Sequence, residues 1–386
     1  MRDAPPDRAR PRVAFVVTSL SGSGHLVRTL SLGEAVAATG ARVLVISGGR
    51  PLGDLATATL PLAQLPPLLV AGRDFSRPTD AAGRPADAAL LASRCAALRA
   101  AIETFAPDVL VTETWPLGRR RLADEFLAAI ATARTARPRV KVLASVRDVP
   151  EPPSRPDRLA AAAGHIAERF DGVLCHGDAS LLPLRESWPL PDNGPPVYHT
   201  GYVARGMAPD RADGLGEEVL VAVGGGDIGE ALLERAARAA ALSGRPWRLR
   251  VGGPAAAARA VAMTAQHPAS NLVIEPAGAD YRVRLARAAV SVSLAGYNTV
   301  TDLAPIDTPA LLVPDETGGE REQAIRADAL SACPGIAVRR LETLSDQGLA
   351  DLAEALACGP RRPPLPLSLD GGARAAQRIL ELAGTP

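Results

Sequence analysis

The run Ser-Gly-Ser-Gly-His, residues 21–25, follows the apolar stretch VAFVVT (13–18) and opens into a helical pattern. Gly22 and Gly24 let the chain turn sharply, and they let a ligand approach the backbone without meeting a Cβ. An imidazole at a helix N-terminus feels the positive end of the dipole, which disfavours its protonated form. A neutral imidazole near pH 7 is what a general base requires, so His25 is the leading catalytic candidate. On position alone, a capping or packing role for the same ring is equally open. Ser23 and Gly24, in the same loop, are candidates for contact with such a ligand. Arg28, one turn on, either assists an anionic group or lines its helix.

The stretch VGGGDIGE (223–230) puts Gly224, Gly226 and Gly229 in G-x-G-x-x-G spacing between a strand and a helix. Amides of such a loop, here Gly224, Gly225, Gly226 and Asp227, suit a diphosphate at the helix start. A dinucleotide site also wants an acidic residue at the end of the next strand. That strand, WRLRVGG (247–253), carries Arg248 and Arg250 and no carboxylate, which disfavours NAD.

Two further loops hold polar groups beside glycines. In SLAGYNTVTDL (293–303), Gly296 permits close approach, Asn298 and Thr299 begin a helix, and Asp302 follows one turn later. A carboxylate there can accept from both hydroxyls of a ribose. In VPDETGGEREQAIRADAL (313–330), Glu320, Glu322 and Gln323 suit a hydroxyl-rich ligand. Acids complementing a helix dipole are the plain alternative. In the first half, Glu113, Arg147 and Asp148 end their strands and are acceptor-side candidates. Arg119, Arg120 and Arg121 read as a solvated helix start, with an anionic acceptor or a membrane surface as their other use.

Apolar strands alternating with amphipathic helices must position these loops, which indicates parallel sheets covered on both faces. The strand expectations are 13–18, 42–47, 108–113, 140–146 and 172–177, then 218–224, 247–253, 271–276, 289–296 and 310–315. Helices are expected near 25–39, 86–105, 118–136 and 156–169 in the first half. In the second they are expected near 228–242, 255–265, 281–288, 298–304 and 319–331. The polar segment 201–218 has the composition of a linker. The expected organisation is α/β, with two Rossmann-like domains, 1–205 and 217–366, facing each other across a cleft. A last helix within 367–386 is free to cross back onto the first domain.

Composition sets limits on function. The chain has 386 residues, 47% apolar and 22% charged, with a net charge of +1 and Lys141 as its only lysine. That charge gives no reason to expect nucleic acid as a partner. Cys95, Cys175, Cys333 and Cys358 lie far apart without metal-ligand spacing, as buried thiols of a reducing compartment would. The apolar run 13–17 is too short for a signal peptide or a membrane span. A cytoplasmic protein is expected, with peripheral membrane contact left open.

Taken together, the loops resemble those of GT-B glycosyltransferases, and in particular the peptidoglycan N-acetylglucosaminyltransferase (MurG-like) family. The likeness is strongest at GSGHLVRTLSLGEAVAATGARVLVISGG (22–49) and at VSLAGYNTVTDLAPIDTPALLVPDETGGEREQAIRADAL (292–330). It implies a nucleotide-sugar co-substrate, a UDP-sugar by preference, held mainly by the second domain, and a hydroxyl acceptor. It puts Asp302, where those transferases usually carry Glu, on the ribose, and Gln323 near the donor sugar. Glu322 stands where the family carries a second glutamine. The phosphate-binding loop maps to 224–229, the small-residue turn to 296–299, and His25 to the histidine regarded as base or as a backbone-orienting residue. There is no Asp-x-Asp pair, which agrees with a metal-independent reaction without a cofactor. A nucleotide-sugar hydrolase or epimerase on the same fold, and a non-catalytic nucleotide-sugar binding protein, are the competing functions.

Overall fold

The computed structural model describes residues 10–20, 22, 24–51, 60–70, 77–151, 155–191, 194–204, 206, 216–224, 228–253 and 255–384. The chain divides into two compact units. The first comprises Met1–Ala179, Pro183–Val203 and Ser368–Pro386; the second comprises Ser180–Leu182 and Ala204–Leu367.

The first unit runs β1 (Arg12–Val17), α1 (Gly24–Ala38), β2 (Arg42–Ser47), β3 (Leu62–Gln64), α2 (Ala88–Phe105), β4 (Val109–Glu113), α3 (Ala123–Ala136), β5 (Lys141–Arg147), α4 (Pro156–Arg169), β6 (Gly172–His176), α5 (Leu184–Ser187) and β7 (Val197–His199). Its sheet has the order β3-β2-β1-β4-β5-β6-β7, and every pairing is parallel. Strands apolar on both faces demand cover on both. Val13, Phe15 and Val17 pack with Leu26, Leu30 and Val36 of α1. The alternate residues Ala14 and Val16 join the opposite cluster, with Leu98 and Ile102 of α2, Phe126 of α3 and Ile166 of α4. Each such large apolar side chain taken out of water is worth about 1.5–3 kcal/mol.

The second unit runs β8 (Val219–Ala222), α6 (Glu230–Ala240), β9 (Trp247–Val251), α7 (Ala256–Gln266), β10 (Leu272–Pro276), α8 (Tyr281–Arg287), β11 (Val290–Ser293), α9 (Tyr297–Leu303), β12 (Ala310–Leu312), α10 (Glu322–Leu330), β13 (Ile336–Val338) and α11 (Asp346–Cys358). Its parallel sheet has the order β10-β9-β8-β11-β12-β13. The closing helix α12 (Gly371–Leu382) belongs to the first unit, where it packs on α1. The Gly371 N–H donates to the Tyr202 carbonyl, and a Cβ at Gly371 would lie 2.4 Å from the Gly201 carbonyl oxygen. Only glycine lets the two backbones come this close.

The α/β reading with two parallel sheets is the observed one. Differences from the expected elements are local. The helix expected from 118 starts at Ala123, because Arg119 is left-handed (φ 56°) and Arg120–Leu122 form a single 3₁₀ turn. Helix α11 was not expected, although Ser345 caps it by accepting from Gly348 N–H and Leu349, Ala350 and Ala353 bury one face. β3, β7 and β13 were not expected either. Each is three residues long and edges its sheet, too short for a period of two to register.

Candidate active site

In doubly wound sheets, ligands bind outside the carboxyl ends of the strands where the strand order reverses. In the first unit that point lies between β1 and β4. The loop after β1 delivers His25, the second residue of α1, and β4 ends on Glu113. Ser19 Oγ accepts from the Leu26 N–H and so helps to seat the start of α1.

The two side chains meet. His25 Nδ1 lies 3.0 Å from Glu113 Oε1. Glu113 is 2% exposed, and it also accepts from Arg28 Nη2 and from Ser145 Oγ, the latter at 2.6 Å. Burial pushes the Glu113 carboxyl up, but the Arg28 charge and the hydrogen bonds from His25 and Ser145 outweigh it and hold the group well below the ordinary carboxylate range. An ionised carboxylate facing Nδ1 makes that nitrogen the protonated one and leaves the Nε2 lone pair free to accept. Second-ligand control of the tautomer works the same way in other histidine sites. The imidazole keeps 15% of its surface.

Positive charge surrounds the ring. Burial, the charge of Arg119, and behind it those of Arg28 and Arg147, push the His25 pKa down to about 3 against the opposing hydrogen bond to Glu113. Arg119 is itself pushed down to about 10 by burial and by Arg147, and its Nε donates to the Thr18 carbonyl. Of the expected solvated triplet, Arg120 and Arg121 are exposed, whereas Arg119 turns into the site. Thr114, next to Glu113, is β-branched yet left-handed (φ 72°), and its Oγ1 lies 3.1 Å from His25 Nδ1. Such strained backbone costs on the order of 1–3 kcal/mol and concentrates at functional sites.

The structure corrects three expectations in this unit. Glu113 is buried against His25 and so orients the ring instead of touching an acceptor. Asp148 is 0% exposed; Oδ1 accepts from Val149 N–H and Oδ2 from the Tyr202 hydroxyl at 3.0 Å, so it braces the segment after β7. Arg28 is buried in its ion pair with Glu113 and does not line a solvated helix face. Arg147 ends β5 partly exposed, within electrostatic reach of His25, and Gly24 opens α1 at the surface. Ser23 lies outside the described residues.

In the second unit the strand order reverses between β8 and β11. Gly225, Gly226 and Asp227 lie outside the described residues. Gly224 and Gly229 flank them, both with positive φ (89° and 83°). A Cβ on Gly229 would sit 2.6 Å from Val223 Cβ and 3.1 Å from Leu294 Cδ1, so the loop passes there only as glycine. Arg248 and Arg250 are tied to Glu218, Glu275 and Asp280, which leaves them committed to carboxylates of this unit.

Gln323 and Arg326 of α10 clamp the turn after β11. Gln323 Oε1 accepts from the Ala295 N–H at 3.0 Å and the Asp315 N–H at 3.2 Å, while Arg326, 0% exposed, donates to the Ala295 carbonyl. The Gln323 carbonyl is therefore spent on backbone, and only its amide nitrogen remains to meet a sugar. Glu322 accepts from Arg326 and is not free for a ligand. The clamp places Gly296 at the cap of α9, with Asn298 exposed, Thr299 partly exposed and Asp302 paired to Arg282 at 3.1 Å. Glu320 stands partly exposed before α10. Two surface hollows of about 440 and 390 Å³ lie elsewhere on this unit. One is lined by Glu217, Arg245 and Glu354, at the amino ends of β8 and β9; the other by Arg339, Ser345 and Leu352.

No protein-family model matches the chain. It is 37% identical over 89 residues to a UDP-N-acetylglucosamine--N-acetylmuramyl-(pentapeptide) pyrophosphoryl-undecaprenol N-acetylglucosamine transferase of Mesorhizobium japonicum, a stretch covering 23% of this chain and 24% of that protein. To the protein of the same name from Brucella anthropi it is 34% identical over 100 residues, 26% of this chain and 25% of the relative. The chain thus spans about a quarter of the length of the curated relatives it matches. Among solved structures, MurG of Acinetobacter baumannii superposes with a TM-score of 0.56 at 17% identity, covering 96% of this chain and 95% of that one. The calicheamicin glycosyltransferase CalG4 gives 0.58 at 15%, covering 98% and 96%. Over nearly its whole length the chain has the GT-B fold of these glycosyltransferases.

Proposed function

We propose that this protein is a MurG-like GT-B glycosyltransferase that moves a sugar from a nucleotide-sugar donor, a UDP-sugar, to a hydroxyl acceptor. The observation that carries the reading is the His25–Glu113 pair at the point of strand-order reversal in the first unit, with Nδ1 held by a buried carboxylate and Nε2 left with a lone pair. The GT-B fold and the partial identity to UDP-N-acetylglucosamine-dependent relatives support it.

In this scheme the acceptor hydroxyl gives its proton to His25 Nε2 while its oxygen bonds to the anomeric carbon. The bond from that carbon to the diphosphate breaks, and the diphosphate leaves with the electron pair, so the configuration inverts. With its pKa held down to about 3 the imidazole is a weak base, so it takes the proton late, once the new C–O bond has made the hydroxyl acidic. Glu113 then faces an imidazolium and stabilises it. An anion seated near Arg119 and Arg147 would cancel part of the charge that depresses the ring.

The donor falls to the second unit. Amides of the loop 224–229 take the diphosphate, Asp302 the ribose hydroxyls, and Asn298, Thr299, Glu320 and the Gln323 amide nitrogen the rest of the ligand. The step is written without a metal ion; among the described residues no group of three or more His, Cys, Asp or Glu side chains is placed to hold one. Among the described residues no helix is long and apolar enough to cross a membrane, and a cytoplasmic enzyme with access to the membrane surface fits the acceptor side.

The test begins with thermal shift against a panel of nucleotides and nucleotide sugars, since a ligand at 100 times its Kd stabilises by about 2.7 kcal/mol. The preferred donor is then supplied with and without candidate acceptors. Nucleoside diphosphate release that depends on acceptor supports transfer. Fast stoichiometric release of free sugar without acceptor makes the protein a hydrolase, and binding without any turnover makes it a binding protein.

A further inference from the structure

We propose that Ser145, His176 and Thr200 form a one-directional hydrogen-bond relay that orients the Glu113 carboxylate and thereby fixes which nitrogen of His25 is free to act as base. The part of the proposal concerning catalysis rests on the transferase reading above; the part concerning His25 does not.

The four links come from successive strands at the carboxyl edge of one sheet. Glu113 ends β4, and its register partner on β5 is Ser145. His176 ends β6, and Thr200 follows β7. Ser145 Oγ lies 2.6 Å from Glu113 Oε2 and 3.0 Å from His176 Nε2, and His176 Nδ1 lies 2.9 Å from Thr200 Oγ1. His176 is 0% exposed, Ser145 1% and Thr200 2%.

Proton counting fixes the direction. Glu113 is ionised and can only accept, so the single hydroxyl proton of Ser145 points at Oε2. Ser145 then presents a lone pair to His176 Nε2, which must carry a proton. Burial, and after it the nearby charge of Arg28, push the His176 pKa down to about 3, so the ring is neutral and its Nδ1 is bare. That nitrogen accepts the proton of Thr200. The reverse order would point Thr200 at the Cys175 or Gly201 carbonyl, 3.4 and 3.1 Å away, and turn the Ser145 proton towards His176. A 2.6 Å contact between two buried acceptors would result.

The consequence reaches His25. With Oε2 held by Ser145, Oε1 is the oxygen presented to Arg28 and to His25 Nδ1. A carboxylate free to rotate would no longer select the Nδ1–H tautomer, because Thr114 Oγ1 and Arg28 Nη2 lie 3.1 and 3.2 Å from the same nitrogen. Both can donate to a bare Nδ1. Ser145, His176 and Thr200 are thus positioning residues that touch no substrate. The charges that act on His176 are those of Arg28 and Glu113, and Glu113 in turn meets His25.

The tautomer of His25 is read from ¹⁵N shifts of histidine-labelled full-length protein, assigned with His25→Asn. The wild type should show a bare Nε2 and a protonated Nδ1. Ser145→Ala should mix the two tautomers, and so should His176→Phe, if it folds. His176→Gln should restore the wild-type pattern, because its amide can donate to Ser145 while its carbonyl accepts from Thr200. Where turnover is measurable, kcat should fall roughly tenfold in Ser145→Ala with KM unchanged, and recover in His176→Gln. A single unchanged tautomer in Ser145→Ala overturns the relay, and so does mixing in a folded His176→Gln. A relay seen by NMR in a protein without nucleotide-sugar turnover keeps the relay and discards the transferase reading.

Discussion

His25 and Glu113 are 88 residues apart in the chain, yet Nδ1 of one lies 3.0 Å from Oε1 of the other. The parallel register that sets β1 beside β4, with Val16 opposite Thr112, brings the loop after β1 onto the end of β4. The pair has the composition of an acid-oriented base.

Removing the imidazole tests its role directly. Once a donor is known, His25→Ala should lower turnover by roughly 10²–10⁴-fold while donor binding stays within twofold, as measured by steady-state kinetics and calorimetry. Unchanged turnover would remove His25 from the chemistry.

Glu113→Gln replaces a charge by a group of the same shape. Arg28 is then left buried without its carboxylate, a change that costs about 3–5 kcal/mol when a buried pair loses one partner. Chemical denaturation should register that loss, and the His25 pKa should drop further because its one favourable partner is gone.

Arg119 gives the opposite sign. It is the first charge among those depressing His25. In Arg119→Gln the His25 pKa should rise from about 3, followed by NMR titration; a fixed value would remove Arg119 from the groups that depress it.

Stability should depend on pH through the two neutral rings. His25 and His176 have folded pKa values of about 3 against an ordinary 6.5, so their neutral forms are favoured by folding. Their contribution is complete above pH 6.5 and is lost as pH falls towards 3, because the unfolded chain takes up protons that the folded one refuses. Each ring adds a slope of about 1.4 kcal/mol per pH unit in that window. His176→Gln should remove one such slope between about pH 6 and 5, above the ordinary pKa values of carboxylates.

In the second unit, Gln323→Glu separates structure from recognition. A carboxylate still accepts from the Ala295 and Asp315 amides, so the melting temperature should hold. Gln323→Ala strands those amides and should cost about 1–3 kcal/mol. Donor binding lost in the stable Gln323→Glu protein would assign the amide nitrogen to the sugar. Asp302→Ala, which removes the partly exposed pair with Arg282, should weaken UDP binding measured by calorimetry.

Much of this molecule was readable from one dimension. Unbroken apolar strands such as VAFVV and VLVI can exist only where both faces are covered, so the parallel sheets and the helices between them follow from local pattern. His25, at a glycine-rich turn from strand to helix, was legible for the same reason: its place depends on neighbours a few residues away. Which side chains gather round it was decided only by strand order and register, because those set the distance between residues 31 to 101 positions apart. The packing placed Arg28 on Glu113, Ser145 below it and His176 below that, and it turned Arg119 inward while its two neighbours stayed in water. It also withdrew Asp148 and the Gln323 carbonyl to hold backbone. A buried carboxylate looks like any other Glu in the sequence; its charge and its partners are properties of the volume it fills.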